Sequence, residues 1–127
     1  MLVDTDIIIR FLTGDIAEKA ARFEKFLASG KSVTVTDVTF AEIYWVLSSS
    51  FYNFPKLKVI KALESLIAHS TVSSNKKSLQ TAINILKMHN ISFVDAYTAA
   101  TASVGDKLIL SYDHDFEKIA GIKRIEP

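Results

Sequence analysis

Cysteine is absent from the 127 residues. A thiol nucleophile, a zinc finger and a disulfide scaffold are therefore excluded, and a chain without disulfides fits a reducing cytoplasm. Proline occurs twice and glycine four times. With so few breakers the chain predicts mostly regular structure, short connections, no linker and no low-complexity tract. No apolar run approaches the roughly eighteen residues that a membrane span needs. The opening Met1-Leu2-Val3-Asp4 lacks the basic flank and long apolar stretch of a signal peptide. An excess of one charge is missing too, since fifteen basic residues face fourteen acidic ones for a net charge of +1. No large field draws a polyanion, so any nucleic-acid contact has to be local. What is present is a chain 49% hydrophobic and 23% charged. Such a composition excludes intrinsic disorder, and the length predicts a single domain, 1–127, with a core that needs neither metal nor disulfide.

Met1 to Val3 reads as a short buried strand, with Asp4-Thr5-Asp6 at its end and a helix beginning at once and stopped by Gly14. Ile16 to Leu27 has helical spacing, closed by Gly30. The β-branched Val33-Thr34-Val35-Thr36 predicts a strand, and Asp37 an N-cap for a helix from Val38 to about Ser50. A further helix starts at Pro55, Thr71 to Ser73 reads as a short strand, and Lys76–His89 and Phe93–Val104 as two more helices. Lys107 to Tyr112 reads as a fully buried strand, Asp113 to Ile119 as a short helix and Ile122 to Ile125 as the last strand. Strands alternating with helices predict a parallel sheet covered on both faces. In such a sheet the cleft lies beyond the carboxyl ends of the strands, which selects Asp4, Asp37 and Asp113 to Asp115.

Several carboxylates lack a neighbouring cation in sequence. Glu42 is the only charged residue between Asp37 and Lys56, on a helix apolar nearly all round and so expected to be buried. Asp95 is alone between Lys87 and Asp106 if His89 is neutral, and Asp4 lies between Leu2-Val3 and Ile7-Ile8-Ile9. Each has a purely structural reading: a helix cap for Asp4, a first-turn dipole partner for Asp95, a distant ion pair for Glu42. With Asp113, at the end of the most apolar strand, they are expected to form one acidic cluster. Carboxylates packed together repel and raise one another's pKa unless a cation intervenes. Magnesium or manganese suits such a site, being a hard ion that takes oxygen ligands and keeps several waters. The expected chemistry is hydrolysis of a phosphate ester by a metal-activated water.

At Leu2-Val3-Asp4-Thr5-Asp6-Ile7-Ile8, Ala41-Glu42-Ile43, Phe93-Val94-Asp95-Ala96-Tyr97 and Leu110-Ser111-Tyr112-Asp113-His114-Asp115-Phe116 the sequence resembles the PIN-domain ribonucleases. Within that family it is similar to the VapC-like toxins of toxin–antitoxin pairs. The resemblance implies a three-layer α/β/α sandwich with a central, mostly parallel sheet. It implies an endoribonuclease using Mg2+ or Mn2+, with Asp4, Glu42, Asp95 and Asp113 as catalytic and metal-binding acids, and the cysteine-free composition adds the expectation of a cytoplasmic location. Thr5 and Ser111 match supporting hydroxyl positions; Asp115 competes with Asp113 for the fourth acid, and Asp113 is preferred because it lies nearer the strand end. Asp6 departs from the family's usual Asn or Ser, and His114 is expected to be an exposed helix-start residue. The partners implied are RNA, a second copy of the chain and an antitoxin protein, with no membrane.

Six of the thirteen aromatic residues, Phe40, Tyr44, Trp45, Phe51, Tyr52 and Phe54, fall within fifteen positions. They divide between core packing and a protein interface. Lys56, Lys58, Lys61, Lys76 and Lys77 read as solvated helix faces or phosphate contacts. Two rival functions remain: a PIN fold that binds RNA or a partner with little cleavage, and a haloacid-dehalogenase-like phosphatase using Asp4 as nucleophile and Asp6 as acid. The second leaves Glu42 and Asp95 without a role.

Overall fold

The β-branched residues around Val33 and Val72 form the centre of the N-terminal half. In the computed structural model, which describes residues 1–127, the chain divides into two units, Met1–Lys76 and Lys77–Pro127. In the first, β1 (Val33–Thr34) pairs in parallel with β2 (Val72–Ser73), Val33 opposite Val72. Leu2 makes a parallel bridge to Thr34 on the other side of β1. The Thr34 N–H donates to the Met1 carbonyl at 2.7 Å and the Val35 N–H to that of Ser73 at 2.9 Å. Three parallel segments therefore end on the same edge, and Asp4 and Thr36-Asp37 lie just past two of those ends.

Four helices flank these strands: α1 (Thr5–Thr13), α2 (Ala17–Ala28), α3 (Asp37–Ser48) and α4 (Lys56–Ala68). α1 ends at Gly14, whose left-handed φ of 64° lets its N–H reach back to the Arg10 carbonyl, a conformation costly to a residue with a Cβ. Edge-to-face packing of Phe11 on Phe23 ties α1 to α2. α3 begins one residue before its expected start, because Thr36 rather than Asp37 is the cap: the Thr36 hydroxyl accepts from the Thr39 N–H. It is not buried all round. Phe40, Ile43 and Leu47 enter the core, whereas Val38 and Trp45 are 79% and 72% exposed. A helix covered on one side buries one stripe whatever the composition of the others. The aromatic segment is divided in the same way, with Phe40 fully buried and Trp45 and Phe51 in solvent.

The second unit holds most of α5 (Lys76–Met88), then α6 (Phe93–Ser103), β3 (Leu108–Leu110), a 3-10 helix (His114–Lys118) and β4 (Lys123–Ile125). β3 and β4 are parallel, with Ile109 opposite Arg124. Ala99, Ile109, Phe116 and Ile119 form its core, with Ile85, Ile91, Ala102 and Ile122 packed around them. The expectation of a fully buried strand at 107–112 is corrected here. Only Ile109 is buried, while Leu108 is 41% and Leu110 63% exposed, because alternate residues of a strand point to opposite faces and one face alone is covered. The helix-rich α/β make-up and parallel pairing agree with a PIN-like α/β/α fold.

Candidate active site

Asp4 occupies the N-cap position of α1 with extended backbone, φ −82° and ψ 153°, yet its side chain makes no capping hydrogen bond. The structural role open to it in the sequence is therefore not taken up. Next to it, Thr5 is buried at 8% exposure, and its hydroxyl donates a short hydrogen bond to Glu42 Oε2 on α3. That bond joins residues thirty-seven positions apart and sets the direction of the carboxylate.

Asp4, Thr5, Asp6, Arg10 and Glu42 line one open cleft of about 420 Å³, whose apolar wall is Ile9, Val46, Phe51 and Tyr52. Asp4 and Glu42 are exposed on this wall, not buried as their apolar sequence neighbours led one to expect. The neighbours face the core and the carboxylates face the cleft, so hydration from one side removes the need for a buried cation.

One flank is closed by an ionic network. Arg10 Nε lies 3.2 Å from Asp6, its Nη1 2.5 Å from Asp15, and the Tyr52 hydroxyl donates to the same Asp15 oxygen at 2.7 Å. The Tyr52 bond, with further help from Thr13 and Arg10, holds the Asp15 carboxyl below its ordinary range despite some desolvation. Burial and the Asp15 contact push the Tyr52 phenol up. Asp6 is thus drawn into an ion pair with Arg10 on the flank of the cleft. Arg10 and Tyr52 were not singled out as cleft residues from sequence; the i, i+4 spacing of Asp6 and Arg10 was the one available signal.

In the second unit Asp95 is the third residue of α6, half-buried. Ser92 caps the helix by accepting from the Asp95 N–H at 3.0 Å, and its hydroxyl donates to Asp95 Oδ2 at 2.7 Å. The hydroxyl thus caps the helix and orients the carboxylate at once. Asp113 caps the 3-10 helix, its Oδ1 accepting from the Asp115 N–H at 2.8 Å, while its own N–H donates to the Ser111 hydroxyl at 3.0 Å. Asp115 differs from Asp113 in being neutralised by Lys118 at 2.6 Å. His114 is exposed, within 3.1 Å of Glu117.

Arg124, absent from the sequence reading, has a side chain only 8% exposed. Its Nη1 donates to the Ser111 carbonyl at 2.8 Å and to Glu126 at 2.7 Å, and its Nε to Glu117 at 2.8 Å. It thereby fixes the turn that carries Ser111, Asp113 and Asp115. Alternation along β4 was the sole hint, since nothing in the local sequence marks an inward arginine.

No three histidine, aspartate or glutamate side chains gather tightly enough to cage a metal unaided. Magnesium does not require this, because it binds through one or two carboxylates and completes its shell with water and substrate phosphate. The oxygen donors Asp4 and Glu42 in one hydrated cleft fit such an ion by their chemistry. Parallel strand pairing with acidic residues past the strand ends places the chain among α/β domains with a cleft at that edge. The sequence pattern of the PIN domain family matches residues 1–122, and the chain belongs to that family. No curated protein matches it. PIN domains are typically nucleases that use Mg2+ or Mn2+, so nuclease action and RNA binding are the activities that membership suggests. No helix is long and apolar enough to cross a membrane.

Proposed function

We propose that the chain is a single-domain endoribonuclease that hydrolyses RNA phosphodiester bonds with Mg2+ or Mn2+, and that it is the toxin of a VapC-like toxin–antitoxin pair. The observation that carries the nuclease reading is Asp4: at a helix start, where a carboxylate ordinarily caps, it makes no cap and shares a cleft with a hydroxyl-oriented Glu42. The family match runs through both units, which favours reading them as one catalytic domain.

A bound divalent ion would supply positive charge for the phosphate and acidify a water to serve as nucleophile. Asp4 and Glu42 would hold that ion, and the PIN-like motifs also name Asp95 and Asp113 as catalytic acids. Thr5 keeps Glu42 in one orientation, so no reorganisation is needed when substrate arrives. Ser92 does the same for Asp95, and Ser111 with Arg124 fixes the backbone that presents Asp113. The toxin role, the antitoxin partner, homodimerisation and a cytoplasmic location rest on the VapC-like motifs and the cysteine-free composition.

The test is cleavage of structured RNAs with magnesium, with manganese and with EDTA, for the wild type, Asp4→Asn and Asp95→Asn. Cleavage by the wild type alone, abolished by EDTA and restored by either ion, is expected. A wild type inactive on every RNA, or variants that cut equally well, would overturn the nuclease reading. Growth arrest on expression, relieved by the same substitutions, tests the toxin role.

A further inference from the structure

The cleft that holds Asp4 and Glu42 has an aromatic wall for which the hydrolytic chemistry has no use. Phe51 stands on it with 82% of its surface in solvent, the most exposed of the large apolar side chains. The ring is not loose. It packs on Tyr52 in a T-shaped arrangement, with centroids 4.8 Å apart and planes 80° apart. Tyr52 is in turn anchored through its hydroxyl to Asp15 and Arg10, and packs on Phe54 at 6.1 Å. The backbone around them is a tight turn: the Asn53 N–H donates to the Ser49 carbonyl at 2.6 Å and the Phe54 N–H to that of Leu47 at 2.9 Å, with Asn53 at φ 50°. A flat ring is thus held in place by ionic and backbone bonds while exposed beside a carboxylate cleft.

The geometry points to a nucleobase-stacking subsite at Phe51, taking an unpaired base of the RNA whose phosphodiester lies at the carboxylates. This rests on the nuclease reading. A base is the occupant that the surroundings favour. Every base has a π-face, and stacking on an aromatic ring needs no hydrogen-bond partner, which suits a phenyl group. Lys58, 3.9 Å from the centroid of Phe54, places a cation in the same aromatic group, where a phosphate backbone is attracted. Arg10 contributes little charge to this end, being already paired with Asp6 and Asp15. Base recognition in RNA concentrates on loops, where bases are free to splay outward, so the subsite selects for unpaired nucleotides near the scissile bond.

The probe is a set of RNA hairpins with about ten unpaired loop nucleotides, one intact and the others with a single abasic ribose at successive loop positions. Affinity is read by fluorescence anisotropy in EDTA, and KM and kcat in magnesium. Phe51→Ala is expected to weaken affinity and raise KM by about 5- to 100-fold, with kcat changed little. Phe51→Tyr retains binding, whereas Phe51→Leu, equally apolar but without a π-face, behaves like Phe51→Ala. One abasic position costs the wild type a similar factor and costs Phe51→Ala almost nothing, because both remove the same contact. Binding and KM unchanged in Phe51→Ala, or equal losses on intact and abasic RNA, would overturn the subsite while leaving the nuclease intact. Altered self-association with unchanged RNA affinity would assign Phe51 to a protein contact and equally overturn it. If the wild type neither binds nor cleaves any hairpin, the nuclease reading fails first and the subsite with it.

Discussion

Replacing Thr5 by valine removes one hydroxyl and almost no volume. Thr5 is 8% exposed and its hydroxyl bonds Glu42, so the substitution separates orientation of the carboxylate from packing around it. A hydrogen bond to a charged group is worth about 1.5–3 kcal/mol, or roughly 10- to 150-fold if all of it is expressed in the transition state. Glu42 is exposed to the cleft, where water replaces part of the lost bond. The lower part of the range follows, a fall in kcat/KM of about 10- to 30-fold. Stability should change by about 1 kcal/mol at most, since the valine methyl is buried where the hydroxyl was and water solvates the released carboxylate. The assay is single-turnover RNA cleavage beside urea unfolding, for Thr5→Val, Thr5→Ser, Glu42→Gln and the double variant Thr5→Val/Glu42→Gln. Thr5→Ser should restore most of the activity. The double variant should be no worse than Glu42→Gln alone, because Thr5 acts through Glu42. Wild-type activity in Thr5→Val, or additive losses in the double variant, would refute the orienting role.

Asp4→Ala should abolish cleavage with a stability change within about 0.5 kcal/mol, against the 0.5–2 kcal/mol typical of a lost cap; a large drop in Tm would show that Asp4 is structural after all. Phe40→Ala, at a fully buried position, should cost about 3–5 kcal/mol in urea unfolding, while Trp45→Ala, mostly in solvent, should cost under about 0.5 kcal/mol. Arg124 holds the Glu117 carboxyl below its ordinary range. A depressed folded pKa contributes stability that is complete above the ordinary Glu value and lost as pH falls through the lowered one. Arg124→Gln should therefore flatten the acid limb of unfolding midpoints collected between about pH 2 and 6, and should speed amide exchange at Asp113, whose turn it fixes.

Much of the architecture was legible because it depends on local rules. The stop at Gly14, the helix from Phe93 and the apolar stripe of Ile60, Leu63, Leu66 and Ile67 follow from φ preference and helical period, whereas Leu57, of the same periodic set, is exposed and Val59 is buried in its place. The shift of the α3 cap from Asp37 to Thr36 lay beyond these rules, since both residues are competent caps and the strand pairing of Val33 and Thr34 decides where the chain turns. Isolated acids were visible, but their burial was misjudged. Sequence neighbours of Asp4 and Glu42 are apolar, and only packing reveals that those neighbours point away from the cleft.

By itself the sequence determined a cysteine-free α/β chain of the PIN family, with Asp4, Glu42, Asp95 and Asp113 as its candidate acids. Tertiary structure decided which of the surrounding groups hold them. The Thr5–Glu42 bond spans thirty-seven positions and the Arg124–Ser111 bond thirteen. Contacts at such separations leave no periodic trace in the sequence, because they are set by how helices and strands pack, not by the propensity of either residue. The same holds for Phe51, which composition groups with core aromatics and the folded turn turns outward to the cleft.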